Sequence, residues 1–202
     1  MIKKVALIET HTDIPNIYSS FVSPRVGIPI IGSILKSKGY EIDIYNDKIK
    51  KPGIKQLLKY DLIGISALTN TSPAGYKYAD SLKKHNKVVV LGGPHATFLP
   101  EEGLSHADYV VRREGEETLI ELIEAINNNK PLEGIKGLSF RKNGGIIHNE
   151  DREFKDEYLK ISPDFSLIKG AEDAKKGLIS KYTYFTNVYT SRGCPYNCRY
   201  CT

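Results

Sequence analysis

The stretches LIGISAL, residues 62–68, and VVVLGG, residues 88–93, are short, unbroken apolar runs that end in small residues. Runs rich in Val, Ile and Leu without polar alternation belong to strands buried on both faces, the situation of a parallel sheet. Between them a segment with helical patterning opens after Pro73 and runs to about His85. A parallel pair needs such a crossover, so strand, helix, strand is the unit from which the rest of the chain is read.

The same beat extends in both directions. Upstream, IKKVALIE (2–9) reads as a strand, and a long polar segment over residues 10–25 follows it. GIPIIGSILKSKGY then places Pro29 in a first helical turn, Ile30, Ile31, Ile34 and Leu35 at helical spacing, and Gly39 as a stop. EIDIYN (41–46) is a second strand and residues 53–59 a short helix. Downstream come one or two helical turns at 97–106, the strand DYVVR (108–112) and the helix EETLIELIEAINNN (116–129). Residues 1–130 thus predict an α/β, flavodoxin-like, doubly wound five-stranded parallel sheet of order 2-1-3-4-5, with helices on both faces. In GLSFRKNGGIIHNE, two apolar runs around Asn143-Gly144-Gly145 predict a β-hairpin. The hairpin and a charged linker containing Pro163 occupy 131–181. YTYFTNVYTSRG (182–193) reads as a strand opening a second, incomplete domain over 182–202.

With 40% apolar and 26% charged residues in 202 positions, the chain has the balance of a globular protein and room for one good-sized domain plus part of another. The net charge of +5 is spread over lysines along the whole chain and forms no Arg-rich stripe, so no nucleic-acid partner is expected. Glu9 ends the first apolar run too early for an export signal, and no long apolar stretch follows. No transmembrane segment and a cytoplasmic location are therefore expected.

All three cysteines fall in the last nine residues: Cys194, Cys198 and Cys201, spaced C-x3-C-x2-C. In a reducing compartment such a cluster argues for metal or redox chemistry over a disulfide. Thiolates favour soft metals and iron-sulfur clusters, and three ligands this close reach three corners of one cube, leaving one iron open to a small molecule. A zinc knuckle that borrows a histidine, or three free thiols, are the competing readings.

The spacing, with Tyr200 just before the last cysteine, resembles the signature of the radical S-adenosylmethionine (SAM) family. That resemblance implies a 4Fe-4S cluster on Cys194, Cys198 and Cys201, SAM chelated at the open iron, and Tyr200 packed near the adenine. The upstream domain resembles the cobalamin-binding domain that precedes the radical SAM barrel in B12-dependent enzymes. Ser66-Ala67-Leu68 matches its S-x-L element and Gly92-Gly93 its G-G element, and SPRVGIPIIGSILKSKGYEIDIYND and DYVVRREGEETLIELI are typical of it. By that likeness the detached nucleotide tail of cobalamin runs between strands one and three, with Ser66 bonding it and Gly92-Gly93 making room. Thr69, His95, Glu114 and Gly115 would border the corrin. Taken singly, Ser and Thr at strand ends also cap helices, Gly-Gly makes turns, and Glu114 can cap the helix after Gly115.

Classical B12 carriers place a cobalt-ligating histidine in D-x-H-x-x-G after the first strand. Here the site reads Glu9-Thr10-His11-Thr12-Asp13-Ile14, without the Asp and the Gly, which leaves His11 as a candidate axial ligand or a solvated loop histidine. The resemblance implies a radical SAM enzyme performing methyl transfer or oxidative cyclisation, as in anaerobic magnesium-protoporphyrin IX monomethyl ester cyclases. Its partners would be a small-molecule substrate, bound by barrel strands beyond this chain, and an electron donor for the cluster. The 202 residues alone are expected not to turn over. The alternatives are a radical SAM enzyme whose domain no longer binds B12, and a non-enzymatic corrinoid or small-ligand binding module.

Overall fold

The computed structural model describes residues 1–12, 24–155 and 160–171. Seven strands form one sheet in the order β2-β1-β3-β4-β5-β6-β7. The strands are β1 (Lys4–Glu9), β2 (Glu41–Asn46), β3 (Leu62–Ser66), β4 (Val88–Gly92), β5 (Tyr109–Val111), β6 (Leu138–Lys142) and β7 (Gly145–His148). The first five are parallel and take the expected order. Alternate residues of each strand feed two separate cores. Leu7, Leu62, Val90 and Val111 pack under α1 (Gly27–Ser37) and α6 (Gly115–Asn127). Ala6, Ile8, Ile63, Ile65, Val89 and Leu91 pack on the other face under α2 (Ile54–Leu57), α3 (Ser72–Lys83), α4 (Pro94–Phe98) and α5 (Pro100–His106). Because both faces are covered, the central strands carry no polar alternation, which is why they read as continuous apolar runs.

Two parts of the architecture differ from the sequence expectation. The hairpin does not follow the sheet but continues it: β6 pairs antiparallel with β5, and β7 with β6, making seven strands where five were expected. Its two-residue turn holds Asn143 at φ 51° and Gly144 at φ 79°, the left-handed pair of a type I′ turn. The described parts of the linker are also docked. Arg152, its side chain only 8% exposed, pairs with Glu117 and Glu121 of α6 and donates Nε to Thr118 Oγ1 at 3.0 Å. Further on, Asp164 bonds Ser33 Oγ and Lys36 of α1, at 2.8 and 2.9 Å. Ile168 is buried against Ile44, and Lys169 N donates to the Ile44 carbonyl at 2.8 Å, so the open edge of β2 is covered. Low periodicity concealed this, because the segment packs through single anchors and not through a repeating face.

Candidate functional site

At the carboxyl ends of the strands, register aligns Asn46, Glu9, Ser66 and Gly92 side by side on β2, β1, β3 and β4. One row deeper lie Leu7, Gly64 and Val90, about 7 Å below at the usual rise per strand residue. Both rows face α1 and α6, and here a cavity of about 450 Å³ opens between the two helices at the β1/β3 switch point. Such volumes suit a cofactor-sized ligand or part of one. Leu7, Gly64, Val90, Val111, Ile31 and Leu119 form its deeper wall. Arg25, Ser66, Arg113, Glu114 and Glu116 line its mouth, which is where β1, β3 and β5 end and α1 and α6 begin.

Gly64 creates the depth. It sits mid-strand between Leu7 and Val90, where glycine weakens a sheet unless the space is needed. A β-carbon there would come within 2.8 Å of Leu7 Cδ2. Gly93 serves at the mouth: its φ of 88° favours glycine, and a β-carbon would lie 2.7 Å from Ser66 Oγ and 2.9 Å from the Ala67 carbonyl. The turns after β3 and β4 are zipped together by Ala67 N to Gly92 O at 3.2 Å and His95 N to Ala67 O at 3.3 Å. The Ser66 hydroxyl itself makes no hydrogen bond among the described residues.

Arg25 crosses the top of β1 and β3. Its Nε donates to Glu9 Oε1 at 2.9 Å and its Nη2 to the Ser66 carbonyl at 3.2 Å. Glu9 is 2% exposed and also accepts from Asn46 Nδ2 at 2.9 Å and from the Arg25 backbone N–H at 3.1 Å. This buried pair holds the guanidinium in one orientation at the cavity wall, as charge-assisted bonds do. Sequence reading missed Arg25, which stands at the edge of a polar stretch without a motif. It also missed Gly64, whose signal was a lone glycine inside an apolar strand.

Of the residues expected at the site, Ser66, Leu68, Gly92, Gly93, Glu114 and Gly115 line the cavity. Thr69 and His95 do not. Thr69, itself exposed, opens a 3-10 turn over Thr69–Thr71 whose last residue is buried, while His95 is 5% exposed. The His95 Nε2 meets the Tyr76 hydroxyl at 2.8 Å and its Nδ1 the Thr69 hydroxyl at 3.3 Å. Burial, and then the neighbouring Glu102 carboxylate, push the Tyr76 phenol above its usual range, so the hydroxyl stays protonated beside the imidazole. His95 thereby ties Thr69 to Tyr76 of α3.

His11 also lies away from the cavity lining. Its Nε2 is 3.7 Å from Glu9 Oε1, buried and without a hydrogen-bond partner. Burial, followed by the charges of Lys48 and Arg25, lowers its pKa to about 4. Its backbone N–H reaches Asp47 at 3.4 Å. Cys194, Cys198, Tyr200 and Cys201 fall outside the described residues. Leu68, which lines the cavity, is 38% exposed, and Phe98 and Leu99 at the end of α4 are exposed at 62% and 45%. Among the described residues no helix is long and apolar enough to cross a membrane.

Comparison with known proteins agrees with this geometry. The model of the B12 binding domain matches residues 15–123. An uncharacterized methyltransferase of Pyrococcus horikoshii is 31% identical over 191 residues, covering 89% of this chain and 40% of the relative. The anaerobic magnesium-protoporphyrin IX monomethyl ester cyclase of Cereibacter sphaeroides is 29% identical, covering 89% of this chain and 31% of that enzyme. In fold, the cobalamin-dependent SAM radical enzyme OxsB, solved with aqua-cobalamin and SAM bound, superposes with a TM-score of 0.62 at 18% identity, over 76% of this chain and 23% of its own. The radical SAM methyltransferase TsrM from Kitasatospora setae gives 0.59 at 18% identity, over 75% of this chain and 30% of its own.

The chain is a doubly wound sheet with a cavity at its switch point, beside an S-x-L turn and a paired glycine, and it belongs to the B12-binding-domain family. Within that family it stands with the domains of B12-dependent radical SAM methyltransferases and cyclases. It spans 40% and 31% of the length of the two curated relatives named above.

Proposed function

We propose that this chain holds cobalamin for a radical SAM reaction of the methyl-transfer or oxidative-cyclisation class. The observation that carries the reading is the cavity itself: a slot over Gly64 with Ser66 and Gly93 at its mouth fits a detached nucleotide tail, with the corrin over the strand ends. When bound, cobalamin supplies methyl-group or one-electron chemistry, and a 4Fe-4S cluster on Cys194, Cys198 and Cys201 supplies the electron that cleaves SAM.

The chain's own residues do the positioning. Ser66 offers an unengaged hydroxyl to the tail where it enters. Gly92 and Gly93 let the tail approach the backbone. Arg25, tied to Glu9 and the Ser66 carbonyl, holds the wall of the mouth in place. Leu68, exposed at the cavity, would offer an apolar contact beside the corrin. Tyr200 would pack near the SAM adenine, and a separate donor would reduce the cluster. The small-molecule substrate would bind in a barrel built from sequence beyond Thr202. A reducing cytoplasm suits such a cluster.

Anaerobic titration of the chain with hydroxocobalamin, followed by absorbance, tests this reading. Saturable one-to-one binding is expected. Absence of binding would overturn it in favour of a domain that has kept the fold and lost the cofactor.

A further inference from the structure

Among the described residues, the part of the cavity below Ser66 is lined by no polar side chain. On the sheet its wall is Leu7, Gly64 and Val90, with Val111 of β5 beside them. On the helices it is Ile28 and Ile31 of α1 and Leu119 of α6. Backbone groups offer nothing further, because Gly64 lies in the central strand and its neighbours β1 and β4 pair with it in continuous register. Every polar side chain of the cavity belongs to the mouth. Arg25 is committed to Glu9 and Ser66, Arg113 donates Nε to Asp151 at 2.7 Å, and Glu114 and Glu116 have partners of their own.

We infer that this floor selects corrinoids by the base that ends their nucleotide tail, taking an apolar benzimidazole and rejecting a purine. The inference rests on the cobalamin reading and adds the ligand class to it. A dimethylbenzimidazole freed from cobalt presents two methyl groups and a flat hydrocarbon edge to Leu7, Val90, Val111 and Leu119. An adenine in the same slot brings an exocyclic amine and ring nitrogens that lose their water and find no partner. Leaving a buried polar group unpaired weakens binding by about tenfold to a hundredfold. Hydrogen-bonding sites discriminate strongly against ligands lacking the matching group, and an apolar site inverts that logic. Gly64 is the specificity-determining position: it borders the cavity, and a β-carbon there would come within 2.8 Å of Leu7 Cδ2, so a side chain would displace Leu7 from the wall that meets the base.

Equilibrium titrations of the 202-residue chain with cobalamin, with the cobamide carrying adenine in place of dimethylbenzimidazole, and with cobinamide, which has no tail, provide the test. Cobalamin is expected to bind at least about tenfold more tightly than the adenine form, with cobinamide also weaker. Equal affinity for cobalamin and the adenine form would overturn the inference alone. Failure of all three to bind would overturn the cobalamin reading and the inference with it. Gly64→Val is expected to bring cobalamin down to the affinity of cobinamide while cobinamide binding stays unchanged. An unaltered preference in that variant would show that the base does not sit over Gly64. Should circular dichroism show Gly64→Val unfolded, Ile31→Asn, at a half-buried wall position, decides the matter. By adding a donor and an acceptor it should narrow the gap between cobalamin and the adenine form, and an unchanged gap would overturn the proposal.

Discussion

His11 shows how much a single side chain's surroundings can change its role. Its place after β1 suggests a metal ligand, yet its Nε2 is turned into the protein beside Glu9, with Lys48 and Arg25 near enough to disfavour a second positive charge. Burial lowers its pKa from 6.5 to about 4, so the folded chain binds a proton there more weakly than the unfolded chain. The stability that comes from keeping His11 neutral is therefore complete above pH 6.5 and is lost as pH falls through 6.5 towards 4. Urea unfolding of the cobalamin-free chain should show an acid-side loss on the order of 2 kcal/mol over that window, and His11→Gln should flatten it. Equal pH dependence in the two proteins would show that His11 is solvated. The glycines work in the opposite way, through what they omit: Gly93 where a β-carbon would strike Ser66, Gly64 where it would strike Leu7 at the cavity wall.

Among the elements, the cavity owes its width to α1 and α6, and the docked linker touches both. Arg152 binds the outer side of α6, while Asp164 and the Ile168 anchor bind α1 and β2. Gly32 on α1 allows the close approach, since a β-carbon there would lie 2.9 Å from Ile44 Cδ1 and 3.0 Å from Leu167 Cδ1. Ile168 is 3% exposed, so Ile168→Ala should cost about 2 to 4 kcal/mol as a buried truncation. A shift of the urea midpoint at constant slope would register that loss, and an unchanged midpoint would mean that the segment lies loosely on the β2 edge. The hairpin acts at the other end of the sheet. By pairing with β5 it buries Leu138 and Phe140 beside α6, so it belongs to the same core as the cavity walls.

At the scale of the whole molecule, the cavity and the cysteine cluster are separate in sequence. The described lining of the cavity falls within residues 7–119, and the three cysteines lie beyond residue 193. Replacing Cys194, Cys198 and Cys201 together by serine should therefore abolish iron and sulfide uptake on anaerobic reconstitution while leaving cobalamin affinity within about twofold, since no described residue of the cavity lining is a cysteine. Zinc uptake in place of iron by the unaltered chain, or loss of cobalamin binding in the triple variant, would contradict that division.

Hydrophobic patterning and turn chemistry by themselves determined the five parallel strands, their order, the loops that meet at the switch point, and the Ser66 and Gly92-Gly93 turns. Those features repeat locally, every two or three to four residues, or depend on one special backbone angle, so they are legible along the chain. Only the tertiary structure decided that the hairpin extends the sheet, that residues 162–169 lock α1 and β2, and that Thr69, His11 and His95 lie off the cavity lining. It alone showed Arg25 and Gly64 to be part of the site. Each of these depends on which distant residues meet and which way one side chain turns. A linear pattern carries no record of either, because burial and hydrogen-bond partners come into being only when the elements pack.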